Sequence, residues 1–442
     1  MANKSTVIKW VLVLTAICVL LPVVFVLLLN LAYKRHPKID YLAEYNRISK
    51  PTDFDPNDNA APYFDQAFEV MMEEPNDLKD FRKSWPADMN ENQLQTAKQW
   101  VASNSQAVDY LRQAISKSYY WKPLQAKNNE LLMADSNHLP RLRKAMYLLC
   151  LDAKLMAQQG QTEAALRQSA DVYKMGTFIA GPRFLIEQLV AIAISGFAVN
   201  SAFEIIDRTN PAPAILKDFQ QQISDLSSDR PFLIKFDGER LIFKDEVERY
   251  SSGRGGIFKF SRDSALHWKA LFMCTLGRPW AVREIRKADM MYGYFNSAAH
   301  KTPWQLHNEG NDVGKETEEM AKGTLFLRIL TPAFARVLHI SYRVQVQTDA
   351  LIATTAILRY KADKGSYPND LQELVVAGYI DKLPMDPFSG GPLTYKLSGD
   401  NFTLYSFAQD FDDDGGKHDS KWADEGDGDY VFWPVQKIET TK

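Results

Sequence analysis

DALIATTAILRYKADKGSYPNDLQELVVAGYIDKLPMDPFSGGPLTYKLSGDNFTLYSFAQDFDDDGG, residues 349–416, followed after a polar loop by GDGDYVFWP at 426–434, is the stretch on which the fold turns. A long helix leads into it. Thr331 can cap that helix and Pro332 suits its first position, where a missing N–H costs nothing. Val344, Thr348, Leu351, Thr355 and Leu358 then step by four, three, four and three, which is one helical face. Gly365 ends the helix, and Ser366, Tyr367 and Pro368 turn the chain out. A shorter helix is expected over 371–377, closed by Gly378. Next come two β-rich runs, 393–397 and 402–407, joined by Ser398, Gly399, Asp400 and Asn401, a hairpin signal. The last strand is expected at 430–433. The order is that of an α+β unit: long helix, short helix, then a small antiparallel sheet.

Asp410, Phe411, Asp412, Asp413, Asp414 and Gly415 spell DxDxDG, the opening of an EF-hand-type calcium loop. Alternate carboxylates converge when the chain wraps, and glycine permits the sharp turn. The twelfth position is Lys421 rather than a bidentate Glu, and no flanking helices are indicated, so the loop is not an EF-hand. Nine carboxylates nevertheless occupy residues 410–429, against Lys417 and Lys421 as the only cations. Asp419, Asp424, Glu425, Asp427 and Asp429 add oxygen donors to those of Asp410, Asp412 and Asp414. Hard oxygen ligands without nitrogen or sulfur favour calcium. The competing reading is a solvated acidic loop.

This region resembles the globular part of the major pseudopilin of type II secretion systems. The matching residues are Tyr360, Asp363, Gly365, Tyr367, Pro368, Leu371, Leu374, Pro384, Asp386, Pro387, Phe388, Gly391, Tyr395, Tyr405, Ser406, Asp410, Gly415, Gly416, Asp429 and Trp433, spread over about 85 residues. The resemblance covers a fifth of the chain. It implies a long helix on a small sheet and a calcium loop at this place, in which Asp410 matches the first aspartate while Asp427 and Asp429 lie in the closing turn. Ala408 in place of the usual Gly and an extra acidic segment depart from the pattern. The expected ligand set is Asp410, Asp412, Asp414, Asp427 and Asp429, around one structural calcium. The same tail on a long, anchored helical chain is also similar to a group of membrane-anchored bacterial proteins, and that similarity implies an architecture without an activity.

Outward from the tail, the 442 residues suffice for two or three domains, and a net charge of −3 gives no sign of a nucleic-acid binder. Three cysteines, Cys18, Cys150 and Cys274, are too few for a disulfide framework, and buried free thiols are favoured over a Cys150–Cys274 bridge. Residues 10–33 carry no charge and would form ~36 Å of helix, more than the ~30 Å hydrocarbon core of a bilayer. A membrane anchor is expected there, after a short cytoplasmic N-terminus at 1–9. The run is too long for a signal peptide. Ile17 before Cys18 argues against a lipoprotein cut, and no pilin leader precedes it. Lys34, Arg35 and Lys38 outnumber Lys4 and Lys9 by one, which slightly favours a cytoplasmic C-terminal side. The pseudopilin-like tail argues for the outside, and a single-pass protein of the bacterial inner membrane with its bulk extracytoplasmic is the expectation adopted.

Residues 34–93, rich in Pro, Asp and Asn, read as a stalk or lead-in loop in which 63–72 could form a helix. A mostly α, irregular helical domain is expected over 94–330, the pseudopilin-like α+β domain over 331–434, and a tail over 435–442. Residues 184–206 are apolar almost all round, but only 189–199 are uninterrupted, so a helix buried in a bundle is favoured over a second span. Residues 139–178 form a helical hairpin about Gly160. It loosely resembles one tetratricopeptide unit, and no second copy appears at that period. The SGRGG run at 252–256 lacks the Lys-Ser/Thr of a phosphate loop and reads as surface. The seven histidines form no HExxH, and no Cys/His cluster has zinc spacing. There is no GxSxG. The expected function is therefore a non-enzymatic envelope scaffold with protein partners and no small-molecule substrate, linked to a secretion or pilus-like apparatus. The alternative is an anchored hydrolase-like enzyme with its cleft in the helical region.

Overall fold

The computed structural model describes residues 20–21, 23–25, 39–251, 278–324, 327, 334–419, 422 and 426–436. The segment 1–9, most of the expected anchor at 10–33, the run at 252–256, the cap at Thr331 and Pro332, Cys18, Cys274, Asp424 and Glu425 lie outside the described residues. Of the anchor, Leu20, Leu21 and residues 23–25 are helical and exposed.

The protein is mostly helical, with a small antiparallel sheet near the C-terminus. Helices α1 (Tyr41–Ser49), α2 (Ala61–Val70), α3 (Leu78–Phe81), α4 (Glu91–Ser103) and α5 (Ser105–Ile115) come first. They correct the stalk expected at 34–93. Ala60, Phe64, Ala67 and Leu78 belong to the main core, and α2 packs on α5. The Pro, Asp and Asn residues that suggested a loop act as caps and braces instead. Asp55 accepts from the Asn57 N–H to start a 3₁₀ turn with Pro56 at its head. The Asn59 side chain is bonded to the carbonyl and N–H of Trp121, 62 residues away. Tyr45 of α1 donates its hydroxyl to the buried Glu187 carboxylate. Asn90 and Gln93 form a capping box at the start of α4.

The centre is built from α6 (His138–Gln158), α7 (Thr162–Thr177) and α8 (Leu185–Thr209), which pack on one another. Gly160, at φ +82°, makes the turn between the first two. Gly176 lets α7 and α8 touch, because a Cβ there would sit 2.0 Å from Ser195 Oγ and 2.9 Å from the Ala191 carbonyl. Helix α8 is apolar on all sides and mostly buried inside the protein, with Ala191, Ile194, Ile205 and Ile206 in the core. Cys150 is a buried free thiol, pushed up to about 12 by burial.

Helices α9 (Pro213–Ser227), α10 (Asp237–Ser251), α11 (Arg278–Ala299), α12 (Pro303–Asn308) and α13 (Val313–Ala321) lead to α14 (Phe334–Lys364), which lies against α8 and α9. Val344, Thr348, Leu351 and Thr355 of the expected face are buried, and Leu358 is half-buried. Gly365 and Gly378, both at positive φ, close α14 and α15 (Leu371–Val376). The hairpin β1 (Thr394–Ser398) and β2 (Asn401–Ser406) follows, with Ser398 facing Asn401 across the turn. Strand β3 (Tyr430–Trp433) pairs antiparallel with β2, in the order β1-β2-β3. Among the described residues, buried side chains from Ala60 to Trp433 belong to one core cluster.

Candidate metal centre

Strand β2 delivers the chain into the acidic loop, and β3 takes it away. Between them the backbone curls through left-handed conformations at Ala408, Phe411, Gly415 and Gly416. Ala408, where the pseudopilin pattern has Gly, has φ +59°, a region that a Cβ disfavours. Two bonds cross-brace the loop. The Gly428 N–H donates to Asp410 Oδ2 at 2.8 Å, and the Gly416 N–H donates to Asp429 Oδ2 at 2.7 Å. Gly428 must be glycine, since a Cβ would lie 2.7 Å from the Lys417 carbonyl.

Of the expected ligands, Asp410, Asp412 and Asp414 come together, each offering an oxygen within 4.8 Å of the others. Asp429 is wholly buried at the first residue before β3. Asp427 is exposed and faces Lys417 at 3.4 Å. After the cross-bracing bonds are made, Asp410 Oδ1, Asp414 Oδ2 and Asp429 Oδ1 are buried with no hydrogen-bond partner among the described residues. A buried carboxylate oxygen without a donor is unfavourable unless a cation satisfies it. Burial, with the nearby charges of Asp413, Asp414 and Asp410, raises Asp429 to about 6. Asp414 is raised as well, by desolvation first and then by Asp412, Asp427 and Asp410. The loop thus concentrates negative charge faster than its own donors neutralise it. Its oxygens are the hard donor set of calcium.

The roles of three residues escaped sequence reasoning. Asp413, in the middle of the motif, turns away from the cluster: it accepts from Tyr405 OH at 2.6 Å and the Gly415 N–H at 2.9 Å, with Lys396 at 3.6 Å. Phe411 is an anchor, its ring stacked on His307 of α12 at 4.4 Å. Asp386, buried under the loop, accepts from Phe388 N–H, Ser406 Oγ and Phe407 N–H at 3.0, 2.8 and 3.0 Å. Asp413 stands in the acidic run outside the expected ligand set, and its partner on β2 becomes visible only in three dimensions. Comparison of the chain with protein-family models, curated proteins and solved structures gives no match.

Proposed function

We propose that this chain is a non-enzymatic, membrane-anchored scaffold or interaction protein of the bacterial envelope, with a pseudopilin-like α+β end that calcium stabilises. The observation that carries the reading is the loop, in which Asp410, Asp414 and Asp429 each keep a buried oxygen unpartnered. Asp410, Asp412, Asp414 and Asp429 would hold the ion, with Asp427 at the open side. The cation would neutralise their repulsion and tie β3 to the loop through Asp429. The order long helix, short helix, hairpin, acidic loop and last strand agrees with the pseudopilin resemblance, and so supports an extracytoplasmic position and protein partners in a secretion or pilus-like apparatus.

The test is thermal unfolding of the full chain in detergent. Chelator should lower the melting temperature and calcium should restore it better than magnesium. At a hundredfold excess over the dissociation constant the gain is ~2.7 kcal/mol. Asp410→Ala combined with Asp414→Ala should abolish the response. An identical melt with and without chelator leaves a solvated acidic loop and removes the calcium reading.

The enzyme alternative draws on one observation, a cavity beside α14 whose wall carries Asp349. Among the described residues its lining carries neither histidine nor cysteine.

A further inference from the structure

Between α9, α14 and the segment 378–385 lies a cavity of about 590 Å³. That volume falls within the ~300–1,000 Å³ of small-molecule sites. Phe232, Ile352, Ile380 and Leu383 give it an apolar wall. Lys217, Arg230 and Lys382 stand exposed on its lining together with Asp225 and Asp381, and Asp349 is set half-buried into the wall from α14. The guanidinium of Arg230 is bonded to the amide oxygen of Gln345, at 3.2 Å through Nε and 3.0 Å through Nη2. That of Arg359, deeper in, donates to the amide oxygen of Gln220 at 2.8 Å. Both cations therefore spend their bonds on neutral groups. Asp349 is pushed up to about 6 by burial, against the pull of Lys382 and Arg230 and a hydrogen bond from the Gln345 side chain.

We propose that this cavity binds a zwitterionic ligand of amino-acid or short-peptide type. The ligand ammonium meets Asp349, its carboxylate meets Arg230 and Lys382, and an apolar side chain packs on Phe232, Ile352 and Leu383. A simple anion would meet Asp349, Asp225 and Asp381, and a simple cation would meet Lys217, Arg230 and Lys382. A zwitterion satisfies both. This goes beyond the scaffold reading and does not depend on the metal loop, which lies elsewhere in the fold.

The experiment is isothermal titration of the full chain in detergent with three probes: leucyl-leucine, its N-acetyl form and its C-terminal amide. Leucyl-leucine should bind, and each blocked form should bind about tenfold more weakly, or ~1.4 kcal/mol. Asp349→Asn should erase the preference for the free amine alone, and Arg230→Gln the preference for the free carboxylate alone. Arg230 is exposed, so its variant keeps the test decisive if Asp349→Asn does not fold. Equal binding of all three probes overturns the proposal, as does no binding of leucyl-leucine at about 10 mM.

Discussion

At the scale of the residue, Asp349 shows how a cavity wall can set an acidity. Its folded value of about 6 lies above the ~3.9 of an unfolded aspartate, so the folded state holds the proton more tightly. Well below pH 4 both states are protonated and the group is neutral in its effect. As pH rises toward 6 the unfolded chain ionises first, and stability falls. Asp349→Asn keeps the neutral form at every pH. In the absence of ligand, the variant should therefore lose less stability than the parent between pH 4 and 7, by about 1–3 kcal/mol in matched urea titrations. Parallel losses in the two proteins would mean that this carboxyl does not titrate as described. The metal loop was readable at this scale to a definite depth. Asp410, Asp412 and Asp414 were legible because their convergence follows from local spacing alone. The roles of Asp413 and Phe411 were not, because Tyr405 lies on a strand and His307 lies 104 residues earlier in the chain.

At the scale of the element, helix α8 was the most legible feature and residues 39–93 the least. An all-round apolar helix has to be buried in something, and here it lies among α6, α7 and α14. Ile194, fully buried, tests that placement. Ile194→Asp puts an unpaired charge among apolar neighbours and should cost about 3–5 kcal/mol in urea unfolding. A parent-like midpoint would mean that this face of α8 is not core. The early helices were hard to read because Pro, Asn and Asp serve surface loops and helix starts equally well. What separates the two is whether the side chain finds a distant partner, as Asn59 finds Trp121 and Tyr45 finds Glu187. No local pattern records that.

At the scale of the whole molecule, the scaffold reading makes a claim about sides. If the bulk of the chain is extracytoplasmic, protease added to intact spheroplasts should digest residues 34–442. Full protection until the membrane is opened would reverse the topology. The shared core cluster adds a second consequence for the whole chain. Phe432, on β3, stacks against Phe203 in the C-terminal part of α8, at 6.5 Å and 16°. The chain emerges from the ribosome with Phe203 more than two hundred residues ahead of its partner. Throughout that interval Phe203 lacks the ring that stacks on it. A ribosome stalled before Tyr430 therefore holds a nascent protein whose Phe203 ring has not yet met its stacking partner.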